Sequence, residues 1–316
     1  MPSLTEPEAV DLVLHALVRA FQDRRQATAG ASRTHLTKTV FRLADEFELP
    51  ITRCWFKFGQ YVTSPLVTPE HLAQVRDFGV GALASRIATD LQGEAARLQT
   101  RARELVPFFF EPLQDFLPDY YRREAPEPYQ GIYASNFEMV SFLTQLPRED
   151  DNRGLQTHYA DIAGPLVTKF HRAAASLVKD EEARTLVVEY TSFLEELVIR
   201  YDRADPSLDV SAWRRLVARA VQAYQDSIWN LPAAQIASET VVGPESEEVR
   251  SKMLHAASLG SQYRRDVFEP LRDEAEVRGF LPTEDDLRGL VADAKNRTAT
   301  RAEAIEEFAH LARQGD

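Results

Sequence analysis

The sequence predicts a mainly α-helical protein in which a small helix-plus-wing module with one short β-wing precedes an irregular helical bundle. Apolar residues recur at spacings of three and four along most of the 316 residues, as on the buried face of a helix. One segment, residues 53–62, is instead rich in aromatic residues that favour extended structure. Because no repeat of 20 to 50 residues is present, we expect an irregular bundle and not a solenoid.

The first 66 residues carry the module. Residues 7–25 and 34–48 each place their apolar side chains on one face, which predicts two helices, and Pro50 ends the second. Residues 53–62 are then rich in aromatic side chains that favour extended structure, and Gly59 permits a turn. This pattern predicts a short hairpin, the only strand structure expected in the chain.

The middle of the chain is punctuated by helix starts and prolines. Thr68, Pro69 and Glu70 form a good helix start, and a helix or helix pair is expected to about residue 104, weakened at Gly79 and Gly81. Prolines at 107, 112, 118, 126 and 128 prevent one long helix in the aromatic segment that follows. We therefore divide the chain into an N-terminal region (1–106), a Pro/aromatic connector (107–128) and a C-terminal helical bundle (129–316).

Beyond the connector the sequence predicts a series of helices with short breaks. Thr283 and Thr300 each begin a capping box, with an acidic residue three positions later. The expected helices span about 131–146, 155–178, 180–202, 209–230, 244–278, 283–295 and 300–313.

Composition limits the classes of function. With 37 Lys+Arg against 49 Asp+Glu the net charge is −12, which argues against coating nucleic acid or anionic membrane over the whole surface. Eight basic and seven acidic residues leave the first 66 residues at +1, so the acidity lies in the rest of the chain, at −13. The single cysteine, Cys54, excludes an internal disulfide and a thiolate zinc cluster. Because the sequence shows neither a signal peptide nor an apolar span, we expect a cytoplasmic protein that does not contact membrane.

Residues 34–62 contain two linked motifs. A helix carries Leu36, Lys38, Phe41, Leu43, Ala44 and Asp45, and the hairpin carries Trp55, Lys57, Phe58 and Gly59. Together they resemble the winged-helix-like region of the SocA-type antitoxin family, the Panacea domain, in which L-x-K-L-x-Y-L-A-(D/E) is followed by W-x-K-(Y/F)-G-P. Gln60 departs from that pattern, since the family usually has proline after the glycine. The resemblance covers about residues 9–66.

The resemblance implies a winged-helix-like module that recognises a protein partner or DNA in a toxin–antitoxin or phage-defence setting. The residues that would carry recognition are Arg42, Arg53, Trp55 and Lys57, with the cations near phosphates if the partner is DNA. For Trp55 and its aromatic neighbours the competing interpretation is that they fill the core of a small domain. The sequence identifies neither the partner nor the oligomeric state.

The competing function is a metal-independent endoribonuclease. Arg250 and His255 have the R-x4-H spacing that helical HEPN ribonucleases use, as do Arg153 and His158. The arginine would hold the scissile phosphate and the histidine would move protons. That family often has a polar Asn, Asp or His directly after the arginine, whereas Ser251 stands here, and acidic residues precede Arg250.

Other chemistry is not predicted. The chain lacks the nucleophile-elbow, P-loop and dinucleotide-binding motifs, so we expect no cofactor and favour a non-catalytic interaction protein. His158 and Asp161 have helical spacing for a metal, but no third ligand follows, and Gly164–Pro165 is expected to interrupt the helix before His171. No metal site is therefore predicted.

Overall fold

Two packed helices and a hairpin begin the chain. The computed structural model describes residues 4–23, 32–75, 92–107, 113–146, 159–203, 208–293 and 295. Helix α1 spans Glu6–Asp23 and helix α2 spans Arg33–Glu46. Ser32 caps α2 by accepting a hydrogen bond from the His35 amide at 3.2 Å. Both predicted helices are confirmed.

The predicted hairpin is also confirmed. Strand β1 (Arg53–Phe56) pairs antiparallel with β2 (Gly59–Val62), and the pairing of Phe56 with Gly59 leaves Lys57 and Phe58 as a two-residue turn. Gly59 has a φ of +87°, a conformation open to glycine without strain. Gly59 thus supplies the backbone conformation with which the chain leaves the turn and enters β2.

Helix α3 (Pro69–Val75) begins where the sequence predicts, with Thr68 Oγ1 accepting from the His71 amide at 3.1 Å. Gly79 and Gly81 lie outside the described residues. Helix α4 (Gln92–Leu105) then packs against α1, burying Leu98 and Leu105.

Two prolines lie inside helices, against expectation. The connector contains helix α5 (Leu113–Glu124) with Pro118 within it, and helix α7 (Tyr159–Leu177) runs through Pro165, so the break predicted before His171 is wrong. An interior proline costs about 3 kcal/mol. In α7 the burial of Val167 and Phe170 offsets this cost, because a buried side chain of that size contributes about 1.5–3 kcal/mol. In α7 the buried stripe is Ala163, Val167, Phe170 and Ala174.

The helices of the bundle beyond the connector follow the predicted order, except that one further helix is present and one predicted helix is divided into shorter ones. Its helices are α6 (Gln130–Gln145), α7, α8 (Glu181–Asp202), α9 (Val210–Ala223), α10 (Asn230–Thr240), α11 (Ser246–Ala257), α12 (Gly260–Tyr263), α13 (Glu269–Val277) and α14 (284–293). Single π-helical turns precede α10 and α13, at Tyr224–Ile228 and Arg264–Phe268. The capping box of Thr283 is confirmed by a 2.8 Å hydrogen bond from its amide to Asp286, while Thr300 lies outside the described residues.

Helix α10 is the element that the sequence analysis missed. It is buried on nearly every side, from Leu231 through Ser238, so its sequence shows no amphipathic stripe. Pro232 reads as a helix breaker but lies in the first turn, where no hydrogen bond is lost. Further on, the predicted helix 244–278 is interrupted at Ser258 and Leu259.

One cluster of buried apolar residues runs from α1 through the hairpin to α13. Aromatic rings connect the hairpin to the middle of the bundle, with Trp55 against Tyr133 at 5.5 Å and Tyr133 against Trp229 at 5.7 Å between ring centroids. The mainly helical fold class, with one small hairpin ahead of a bundle, is thus confirmed. None of the described helices combines the length and apolar character that a membrane span requires.

Candidate functional site

The turn of the hairpin is held by three side chains from different elements. The carbonyl of Phe56 accepts from the Tyr133 hydroxyl at 2.9 Å, and the carbonyl of Lys57 accepts from Trp229 Nε1 at 2.9 Å. The carbonyl of Phe58 accepts from Lys38 Nζ at 2.5 Å. Three successive carbonyls are therefore fixed by α6, α2 and the start of α10, which makes the turn a rigid part of the molecule.

Lys38 lies beneath this turn and is 1% exposed. Its Nζ lies 4.6 Å from the ring centroid of Tyr120 and 5.5 Å from that of Tyr121. No carboxylate in the described part of the chain pairs with it, and burial lowers its pKa to about 7. The carbonyl of Phe58 and the two ring faces are the groups that stabilise the charged form.

Lys57 connects the turn to the π-helical turn that follows α9. Its Nζ donates to the carbonyl of Asp226 at 2.7 Å. Burial lowers the pKa of Lys57, and the Asp226 carboxylate offsets only part of that effect. π-helical turns recur at functional sites because the extra residue re-aims the side chains around it. Here the turn places Asp226 against Lys57 and Gln225 in the cleft beside it.

A cleft of about 490 Å³ opens beside the turn. Phe58 stands at its edge and is 61% exposed, although it is a large apolar side chain. Most of the cleft surface is aromatic or aliphatic, with amides, hydroxyls and one ammonium group between. The lining residues are Thr34, Lys57, Phe58, Leu117, Tyr121, Tyr133, Asn136, Phe137, Val140, Ser141, Thr144, Gln145, Gln225 and Trp229.

The recognition residues predicted from the sequence lie around this turn, but most of them have contacts inside the protein. Arg42 pairs with Glu124 at 3.1 Å. Arg53 is 9% exposed and pairs with Asp45 at 2.9 Å. Trp55 is 5% exposed and stacks on a ring of the connector helix, so the core interpretation of this side chain is confirmed.

The two motifs of residues 34–62 contact each other along one face of α2. The three contacts are Lys38 with Phe58, Phe41 with Trp55 at 6.3 Å between centroids, and Asp45 with Arg53. The three α2 residues are spaced three and four positions apart, which places them on one face of the helix. Each one meets a different position of the hairpin.

The R-x4-H pair lies elsewhere. Arg250 on α11 donates to the carbonyl of Ser238 at 3.1 Å and pairs with Glu247, while His255 is exposed at the end of the same helix. Five residues turn a helix by about 140°, so the two side chains leave it in different directions. Arg153 and His158 lie outside the described residues. The ribonuclease interpretation stays a prediction, and loss of an RNA-cleaving activity in a His255→Ala variant is its test.

The thiol of the single cysteine is not reactive. Cys54 is buried, and burial raises its pKa to about 12, so the thiol stays protonated. Among the residues that the structure describes, no group of three or more His, Cys, Asp or Glu side chains is placed to hold a metal ion.

Sequence reasoning missed the walls of the cleft. Tyr121 and Tyr133 come from consecutive helices and Trp229 from a distant segment, and nothing local marks the three as neighbours. Asn136 gave a usable signal, because an amide on the buried side of a largely apolar helix needs a polar partner or a ligand. Lys38 on the apolar face of α2 gave the same kind of signal.

The family comparison places most of the chain in one group. A family model described as a domain of unknown function, DUF8098, matches residues 94–306, which is more than half of the chain. The chain belongs to the DUF8098 family. No curated protein and no solved structure matches it. The DUF8098 match begins within α4, so the cleft combines the hairpin turn, which precedes the match, with aromatic walls that lie inside it.

Proposed function

We propose that this protein is a non-catalytic interaction protein that binds a protein partner through the turn of its hairpin. The observation that carries the proposal is Phe58, which is 61% exposed on a turn whose backbone is fixed by Tyr133, Trp229 and Lys38. An exposed aromatic ring on a rigid support loses little conformational entropy on binding. Such rings are the residues that dominate the binding energy of protein interfaces.

The cations around the turn favour a protein over DNA. Phosphate contacts need basic groups that are free to leave their intramolecular partners. Arg42 and Arg53 are paired with the carboxylates of Glu124 and Asp45, whereas the carbonyl of Asp226 takes only one donor of Lys57, so of these three cations Lys57 alone is open to an anion. The bulk of the chain beyond residue 66 carries a charge of −13, which repels phosphate.

The biological setting we propose comes from the resemblance of residues 34–62 to the Panacea domain. In that setting the module would recognise the partner of a toxin–antitoxin or phage-defence pair. The turn, with Lys57 and Phe58, belongs to the motif on which the resemblance rests, so the same residues support the setting and the surface.

The test is site-specific photo-crosslinking in the host cell. A crosslinking amino acid at position 58 is expected to capture one protein in defined yield, whereas the same group at position 277 is not, although Val277 is 88% exposed. Binding of the captured protein to a Phe58→Ala variant is expected to weaken by about 2 kcal/mol or more, with Val277→Ala as the matched control. Equal capture at both positions would refute the proposal.

A DNA partner is distinguished by salt dependence. If a duplex binds at low salt, and binding falls steeply with added salt and with Lys57→Glu, then DNA replaces protein as the partner. If no duplex binds at low salt, DNA is ruled out as the partner and the proposal of a protein partner remains.

A further inference from the structure

The cleft contains a buried polar side chain that points to a ligand. Asn136 is 9% exposed and lines the cleft. Its Oδ1 accepts from the Tyr224 hydroxyl at 2.7 Å, and within the described part of the chain its amide nitrogen donates no hydrogen bond but is not fully enclosed. That nitrogen is therefore available to an acceptor that enters the cleft.

A second donor at the same cleft is charged. The ammonium group of Lys57 has three N–H donors, and the carbonyl of Asp226 takes one of them. The carboxylate of Asp226, which offsets part of the charge of Lys57, accepts from Gln222 at 2.8 Å. An anionic acceptor in the cleft would therefore gain a partly desolvated cation whose charge is incompletely compensated.

The walls fit a flat apolar group. Tyr121 and Tyr133 stack at 5.5 Å between centroids, Phe137 meets Tyr121 edge-on at 5.9 Å, and Trp229 meets Tyr133 edge-on at 5.7 Å. Tyr121, Tyr133 and Trp229 are buried in this packing and form a fixed apolar floor, and the half-buried ring of Phe137 offers more accessible surface to a ligand. The volume of about 490 Å³ lies within the usual range of small-molecule sites, about 300–1,000 Å³.

We propose that the cleft binds a small aromatic carboxylate, with its ring against Phe137 over the floor formed by Tyr121 and Trp229, and its carboxylate between Asn136 Nδ2 and Lys57 Nζ. Both donors then acquire an acceptor, and the apolar ring leaves water. A neutral amide of the same shape loses the charge-assisted hydrogen bond, and an amine is repelled by Lys57. This site goes beyond the proposed protein interaction and does not depend on it.

The experiment uses the full chain and three probes of one shape: phenylacetate, phenylacetamide and phenethylamine. Calorimetry and quenching of tryptophan fluorescence are expected to rank phenylacetate first, phenylacetamide second and phenethylamine last. Lys57→Met is expected to weaken phenylacetate about tenfold and to leave phenylacetamide unchanged. Lys252→Met removes an exposed lysine elsewhere and controls for general charge attraction.

Asn136→Asp supplies the second variant if Lys57→Met does not fold. It retains an acceptor for the Tyr224 hydroxyl, removes the amide donor and adds a like charge, so phenylacetate binding is expected to be lost. The proposal is overturned if no probe binds at millimolar concentration, if acid and amide bind equally well, or if Lys57→Met and Lys252→Met have the same effect. Capture at position 58 measures the protein interaction separately.

Discussion

Replacing Gly243 by alanine is expected to lower the free energy of unfolding by about 4 kcal/mol. Gly243 has a φ of +115°, and a Cβ there would lie 2.6 Å from the Cα of Thr52 and 2.9 Å from the carbonyl oxygen of Ile51. These are backbone atoms and cannot rotate away. The backbone of Gly243 cannot retreat either, because its neighbour Val242 exchanges two hydrogen bonds of 2.9 and 3.0 Å with Arg53.

Gly279 is the matched control for this change. Its φ is also positive, at +67°, but an added Cβ would meet nothing within 4 Å. Gly279→Ala therefore carries the conformational strain alone, about 1–2 kcal/mol. Urea unfolding of the two variants separates close packing from backbone strain. Equal losses would show that the contact between the bundle and the hairpin is not as tight as the structure describes.

The close approach at Gly243 is a kind of feature that the sequence could not predict. Periodicity is local, so it predicted α1, α2 and the hairpin, whose patterns are complete within 10 to 20 residues. The hydrogen bond from Trp229 to the carbonyl of Lys57 joins residues 172 apart, and no local pattern encodes it. Helix α10 was not predicted for a related reason. A helix buried on all sides has no polar face, so its sequence shows no helical period.

At the candidate site, too, local patterns were predictable and contacts between distant residues were not. The hairpin, its glycine and the buried Trp55 were predictable, because aromatic residues with a turn glycine favour a strand pair. The sequence offered Arg42, Arg53 and Lys57 as free cations, since charge alone does not reveal a partner. The structure gives each one a partner within the protein, two of them carboxylates and one a backbone carbonyl. The residue types thus indicated the hairpin turn as a candidate site, but they did not reveal the contacts that its cations make within the protein.

The turn therefore differs from a flexible wing. A wing that reaches for DNA must extend from its domain, whereas this one is anchored by Tyr133, Trp229 and Lys38 on the body of the protein. Anchoring leaves two features available to other molecules, the ring of Phe58 and the cleft beside it. The protein interaction that we propose rests on the first feature, and the carboxylate site rests on the second.

Lys38→Met is expected to change the pH dependence of stability above pH 7. The pKa of Lys38 is about 7 in the folded protein and about 10.4 in an unfolded chain. Between these values the unfolded chain binds a proton that the folded protein does not, so the contribution of Lys38 to the free energy of unfolding rises with pH. Below pH 7 both states are charged, and the cost of burying the ammonium is fully present.

Methionine removes this proton linkage and retains the shape of the side chain. The difference in the free energy of unfolding between Lys38→Met and the unmodified protein is therefore expected to fall by about 1.4 kcal/mol per pH unit from pH 7.5 to 9.5. The variant is favoured at low pH, where the buried charge is gone. It is disfavoured at high pH, where the carbonyl of Phe58 has lost its donor.

The burial of the tyrosines and of Cys54 also makes stability depend on pH above about 9. Because the variant and the unmodified protein share these groups, their contribution cancels in the difference between the two free energies of unfolding. Urea titrations at half-unit pH steps measure the slope, and Lys252→Met, an exposed lysine paired with Glu248, is expected to give a flat difference. A flat difference for Lys38→Met as well would mean that Lys38 stays charged in the folded protein. The Phe58 carbonyl and the tyrosine rings would then fully compensate its burial.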